Sequence, residues 1–215
     1  MNDTLQKTIQ VIIVDDHQLV REGIASRLQL NEKISICAQA SSGLEACKLA
    51  ESLDPDIIFM DISMPDMNGL EAAKRILSIK PEAKILFLSI YDNPEYIREA
   101  ISIGAKGYLL KDVSAEEMMT SLLAVYKGGT YLSSKVAFAL SSSRETETDD
   151  KYNLTLREKQ VLKLIASGKA NKEIAESFSI SVRTVESHRM SIREKTGGGN
   201  AATLSIIAQE LKLLI

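Results

Sequence analysis

Residues 57–69 read I-I-F-M-D-I-S-M-P-D-M-N-G, four apolar residues set against an abrupt carboxylate at Asp61. Pro65, Asn68 and Gly69 follow closely, so the run reads as a buried strand that delivers one carboxylate to a loop. A parallel sheet keeps its chemistry at that end of its strands. Asp61 alone leaves three roles open: metal ligand, base or nucleophile. Its partners must come from elsewhere in the chain.

Working outward, residues 11–14 are a β-branched run ending in Asp15 and Asp16, and residues 17–30 show helical spacing through Leu19, Val20, Ile24 and Leu28. Residues 34–40 read as a second strand, 44–53 as a helix and 56–60 as the third strand. Beyond the Asp61 loop come a helix over 70–79 ended by Pro81, a strand over 84–90, and a helix over 94–103 with Gly104 past its end. A strand over 107–110 then runs into Lys111, and Ser114 opens a helix that stops before Gly128 and Gly129. Five strands alternating with five helices predict an α/β fold, a doubly wound five-stranded parallel sheet.

In such a sheet the strand ends share one edge, so Asp15, Asp16, Asp61, Ser89 and Lys111 converge on one crevice. Any one of them taken singly is an ordinary loop-capping residue. Five together point to a site. Crowded carboxylates repel one another and are stable around a hard divalent cation, and oxygen-only ligation suits Mg2+ better than zinc. Lys111 and Mg2+ would neutralise the oxygens of an incoming phosphoryl group, with the Ser89 hydroxyl donating to one of them. Asp61 is then the nucleophile, already ionised at neutral pH.

These segments, VDDH at 14–17, MDISMPDMNG at 60–69, LS at 88–89 and GAKGYLLK at 104–111, resemble the receiver domain of two-component response regulators over roughly residues 10–128. The resemblance implies that Asp61 is the phospho-acceptor and that Asp15 and Asp16 form the acidic pocket. It implies Mg2+ ligation by Asp16, Asp61 and the main-chain carbonyl of Ser63, with Lys111 contacting phosphate. Ser89 and Tyr108 would be a switch pair moving together. Asp112 departs from the family pattern, standing where many receivers have a proline.

The chain has 215 residues with 45% hydrophobic content and a net charge of −3. Its polar start lacks a signal peptide and no apolar run approaches the length of a membrane span, so the cytoplasm is the expected location. Cys37 and Cys47 lack metal-type spacing and receive no function. Residues 1–150 carry a balance of −8 and residues 151–215 one of +5. A basic tail behind an acidic front suggests that the tail meets a polyanion, a solvated basic face being the bland alternative.

Residues 131–151 change composition and read as a linker, with a short helix over 133–140; the tract 141–150 is polar and aperiodic. The division expected is thus 1–130, a linker 131–151, and 152–215. In the last part Thr155 with Glu158 forms a capping-box pattern before Val161, Leu162, Leu164 and Ile165. A helix over 171–178, a turn at 179–181 and a helix over 182–195 follow, with Val182, Val185, Ile192 and His188 facing inward. Arg183, Arg189, Arg193 and Lys195 on the second helix fit a helix-turn-helix entering the major groove. By shape alone a protein-binding helical bundle competes with it.

The wording LTLREKQVLKLIASGKANKEIAESFSISVRTVESHRMSIREKTG is similar to the LuxR-type DNA-binding domain over roughly 152–212. With the receiver it resembles the architecture of NarL/FixJ-type response regulators. Glu186, Ser187, Met190 and Arg193 form one helical stripe placed against base edges. Lys172, Thr184, His188, Arg189 and Lys195 are assigned to phosphates, His188 also reading as a packed core histidine. Gly197, Gly198 and Gly199 are unusual for the family and predict slack at the end of the helix.

The resemblance implies a sensor histidine kinase, double-stranded promoter or operator DNA, and a homodimer formed on phosphorylation or on DNA through the exposed part of the last helix. It implies a phosphorylation-controlled transcription regulator, no turnover enzyme and no membrane. Two other classes stay open from the residues: a phosphatase with an Asp61 nucleophile, which lacks an acid at Ser63, and a binding protein working without phosphorylation.

Overall fold

The computed structural model describes residues 8–142, 151–178 and 180–214. Most of the polar start, the tract 143–150 expected as spacer, Ser179 of the expected turn and Ile215 lie outside them. The chain divides into two compact units, Met1–Ser143 and Arg144–Ile215.

In the first unit β1 (Ile9–Val14), β2 (Ile34–Ala40), β3 (Ile57–Met60), β4 (Ile85–Ser89) and β5 (Gly107–Leu110) alternate with α1 (Gln18–Leu28), α2 (Gly43–Ser52), α3 (Gly69–Ile79), α4 (Pro94–Ile103) and α5 (Ala115–Tyr126). The strands pair in the order β2-β1-β3-β4-β5, all parallel, as the alternating pattern predicts. β3 and β5 are buried at every position, the mark of strands covered on both faces. On one face Val11, Ile13, Ile57, Phe59, Leu86 and Leu109 pack with Ile24 and Leu28 of α1 and Met118, Leu122 and Val125 of α5.

A sixth strand corrects the expected five. β6 (Tyr131–Leu132) pairs in parallel with β5, and α6 (Ser134–Ser142) follows it, in the stretch expected to begin the linker. Two residues carry no period, so the sequence concealed β6. What returns the chain to the sheet edge is Gly128, left-handed at φ 92°. Gly107 then lets β6 approach, since a Cβ there would stand 3.0 Å from the Tyr131 carbonyl oxygen.

Leu19, counted in the helical spacing, and Val182, expected to face inward, both face outward. Leu19 is 82% exposed, because the buried stripe of α1 runs through Ile24, Ala25 and Leu28 with Val20 half-buried above them. Val182, the first residue of its helix, is 42% exposed, ahead of the turn in which Val185 begins the packing.

The second unit is all-helical: α7 (Leu156–Ala166), α8 (Asn171–Phe178), α9 (Val182–Thr196) and α10 (Ala201–Glu210). Val161, Leu162, Ile174, Val185, Ile192, Leu204 and Ala208 form its core. Both capping-box side chains at Thr155 and Glu158 are engaged at the start of α7. The glycine run serves distinct ends. Gly197 takes the left-handed cap of α9 at φ 66°, and a Cβ on buried Gly198 would meet Leu204 at 3.0 Å.

A Cβ at Gly69 would stand 1.9 Å from the Asp61 carbonyl oxygen, whereas one at Gly199 meets nothing within 4 Å. Denaturant melts should therefore find Gly69→Ala destabilising the first unit by at least about 2 kcal/mol. Gly199→Ala should be neutral or stabilise the second unit by up to about 1 kcal/mol.

Candidate functional site

The parallel sheet gathers the expected residues at one edge. Asp15 follows β1, Asp61 follows β3, Ser89 closes β4 and Lys111 follows β5. The Asp61 N–H donates to the Val14 carbonyl at 2.8 Å, so ladder geometry continues one residue past the strand and fixes where the carboxylate emerges. Lys111 Nζ lies 2.6 Å from Asp15 Oδ2 and 3.1 Å from Asp61 Oδ1, one ammonium between two carboxylates that are 1% and 4% exposed.

Charge and burial compete here. Burial pushes the Asp61 carboxyl up to about 6, against the pull of Lys111 and with the nearby Asp15 charge adding to the rise. Burial works in the opposite sense on Lys111, but the attraction of Asp61 and Asp15 outweighs it and leaves the lysine raised. Asp61 is mostly ionised at neutral pH, with a narrower margin than a surface carboxylate.

The residues also meet a test for a hard cation. Asp15, Asp16 and His17 bring one donor atom each within 4.8 Å of one another. Asp16 Oδ1 is shut off from solvent and no hydrogen bond reaches it, although His17 Nδ1 lies 2.8 Å away. A buried carboxylate oxygen that accepts no hydrogen bond, beside further carboxylates, is suited to a divalent cation with oxygen preference. Asp61 is joined to this group through Lys111. Ser63 sits half-buried in the loop beyond Asp61.

Ser89 and Tyr108 are both fully buried. The Tyr108 hydroxyl donates to the Tyr91 carbonyl at 2.8 Å, and the Tyr91 N–H donates to Ser89 Oγ at 3.1 Å. Burial drives the Tyr108 hydroxyl well above its usual range, with Ser89 offsetting part of the rise. The Tyr91 ring stacks on Tyr96 of α4 at 5.2 Å. Sequence reading missed Tyr91, whose part is played by its main chain. Asp112 takes an ion pair with Lys135 of α6, and no peptide bond among the described residues is cis.

In the second unit α9 presents Arg183, Glu186, Ser187, Met190 and Arg193 to solvent, and Lys172 is exposed on α8. Thr184 is half-buried, its hydroxyl 2.7 Å from that of the N-cap Ser181. His188 is half-buried; burial, helped by the Arg157 charge, holds it below its ordinary value, while Glu158 pulls the other way. Arg189 is half-buried and lowered by burial and by Arg193.

Lys195 turns inward, its ammonium 2.7 Å from Glu158 Oε2 and 3.3 Å from the Asn153 carbonyl. Glu158, 4% exposed, also caps the Thr155 N–H and accepts from Ser191. Burial opposes its charge, but these three donors together hold its carboxyl below the usual range. Thr155-x-x-Glu158 announces the cap; nothing in that spacing announces the bond to α9.

Comparison with known proteins agrees with both halves. The response regulator receiver domain matches residues 11–123, and the luxR family of bacterial regulatory proteins matches residues 152–208. The transcriptional regulatory protein MctR of Rhizobium johnstonii is 37% identical over 90% of each chain. The oxygen regulatory protein NreC of Staphylococcus aureus is 38% identical over 96% of this chain and 99% of its own. Among solved structures, the RcsB response regulator of Salmonella typhimurium is 26% identical with a TM-score of 0.60, covering 94% of this chain and 99% of that one. An RcsB–DNA complex is 25% identical with a TM-score of 0.61, covering 94% and 98%. No described helix is long and apolar enough to cross a membrane.

The raised Asp61 carboxyl carries a stability cost with a definite sign. Folding favours the protonated form, so metal-free stability should fall as pH rises from 3.8 towards about 6 and stay low above it. Urea melts in chelator should find Asp61→Asn more stable than wild type near neutral pH by up to about 3 kcal/mol, the gap closing towards about pH 4.

Proposed function

The chain belongs to the two-component response regulators that join a receiver domain to a LuxR-type DNA-binding domain, and on that footing we propose that Asp61 is its phospho-acceptor. It is a transcription regulator whose DNA binding is controlled by phosphorylation. The observation that carries the assignment of Asp61 is Lys111 Nζ lying between Asp61 and Asp15, with Asp61 buried at the end of β3.

An ionised Asp61 oxygen attacks the phosphorus of a phosphohistidine on a sensor histidine kinase. The new O–P bond replaces the N–P bond, and the departing imidazole keeps that electron pair and takes a proton from solvent. Lys111 is already charged and neutralises phosphoryl oxygens without reorganising. Receiver domains generally bind Mg2+ in an acidic pocket; here Asp16, Asp61 and the Ser63 carbonyl would hold it, and it would neutralise the same oxygens. Asp15 keeps Lys111 in place. The acyl phosphate is a signal on the chain's own residue, not a turnover product.

The Ser89 hydroxyl, once drawn to the phosphoryl group, releases the Tyr91 N–H and loosens the chain that Tyr108 holds from the other side. That differential contact biases the receiver between two states. The receiver occupies the first unit, the DNA-binding domain the second, and the cytoplasm is their place of action. The exposed α9 stripe of Glu186, Ser187, Met190 and Arg193 is proposed to meet base edges, with Lys172, Arg183, Thr184 and Arg189 on phosphates. Lys195 is assigned to holding α9 on α7. A homodimer on operator DNA completes the reading, supported by the RcsB dimers bound to DNA among its structural relatives.

Treatment with a small phosphodonor and Mg2+ should add one phosphoryl group to the wild-type mass and none to Asp61→Ala; undiminished labelling of that variant would overturn the assignment. On a duplex selected from a random pool, Arg193→Ala should weaken binding about 10- to 100-fold. Wild-type affinity should fall linearly in logarithm with salt, and salt-independent binding would count against the DNA interface.

A further inference from the structure

We propose that Arg21 is a positioning residue, holding the β1–α1 loop so that Asp16 is presented to Mg2+; this rests on the reading of Asp16 as a cation ligand. Arg21 is the fourth residue of α1, a helix with no acidic residue in its first turn and no side-chain bond from its N-cap His17. A cation at that end of a helix runs against the macrodipole. It is also half-buried, and its Nε is closed to solvent without a hydrogen-bond partner. A guanidinium with an unmet buried donor is costly. Something other than helix stability keeps it there.

Its one strong contact names the purpose. Arg21 Nη1 donates to the main-chain carbonyl of Asp15 at 2.6 Å. That carbonyl belongs to the planar peptide joining Asp15 to Asp16, so fixing it fixes the plane from which the Asp16 side chain departs. The Asp15 carboxylate is pinned separately, by the His17 N–H at 2.9 Å and by Lys111 at 2.6 Å. Asp15 is thus held at both its side chain and its carbonyl, and Asp16 is left with the buried oxygen that no hydrogen bond reaches. The Arg21 Nε has no hydrogen-bond partner and the buried Asp16 Oδ1 has beside it only the His17 ring nitrogen at 2.8 Å, so one short turn of chain holds a donor and an acceptor that a further polar or ionic species would complete.

The distinction between charge and shape makes this testable. Arg21→Lys keeps the positive charge but loses the planar fork, so any change in Mg2+ affinity reports positioning. The full chain has six tyrosines and no tryptophan, and Tyr91 is bonded to Ser89 of the site and to Tyr108, so Mg2+ titration can be followed by tyrosine emission. Wild type should respond to Mg2+ alone, and Asp16→Asn should abolish the response. Arg21→Lys should raise the Mg2+ midpoint about tenfold while its melting temperature in chelator stays within about 4 °C of wild type. A midpoint within about twofold of wild type would overturn the positioning role alone, as would a raised midpoint accompanied by a larger fall in the chelated melting temperature. A wild-type chain with no Mg2+ response, or one that Asp16→Asn retains, would overturn the metal reading and this inference with it.

Discussion

A carboxylate shut away from water keeps its charge only where other charges replace the lost solvation, and the first unit is organised around that requirement at Asp61. The opposing ammonium must come from Lys111, just past β5, and be steadied by Asp15, just past β1, so the three strands have to end at one edge. The loop after β3 must also turn back at once, which is why Gly69 lies against the Asp61 main chain. Even so the compensation is incomplete, because burial outweighs Lys111 and leaves the carboxyl raised. A site left electrostatically short of balance responds to whatever restores it.

Much of this was legible because the signals are chemical and sit at strand ends. Asp15, Asp61, Ser89 and Lys111 each interrupt an apolar run, and the period of two to four residues around them fixes which element they close. What stayed hidden has no period or depends on distant partners. β6 is too short to show a pattern. Lys195 reads as one more cation on a basic helix, yet its ammonium is bound to a glutamate 37 residues earlier in the chain. Leu19 and Val182 are apolar by composition and outward by phase, since one residue along a helix turns a side chain by roughly a quarter of a circle.

The second unit illustrates the same lesson in reverse. Its glycine run predicts slackness, but Gly197 supplies a left-handed cap and Gly198 admits Leu204 and Ile207. Thr196 adds a hydroxyl bond to the Ile192 carbonyl and receives the Gly198 N–H, so polar contacts also close the end of α9. Glu158 ties the start of α7 to two positions of α9 through one carboxylate. α9 is therefore braced against α7 by charge as well as by the core of Val185 and Ile192.

β6 has a consequence for the open edge of the sheet. A terminal strand in a sheet exposes a row of unpaired backbone donors and acceptors, a template onto which a stranger's strand can zip. Two residues, Tyr131 and Leu132, occupy that row on β5. They cover the β5 edge at Gly107 and Tyr108 and end the sheet in a strand of two residues. What remains at that edge is a pairing frontage of two residues, too short to seed cross-strand stacking.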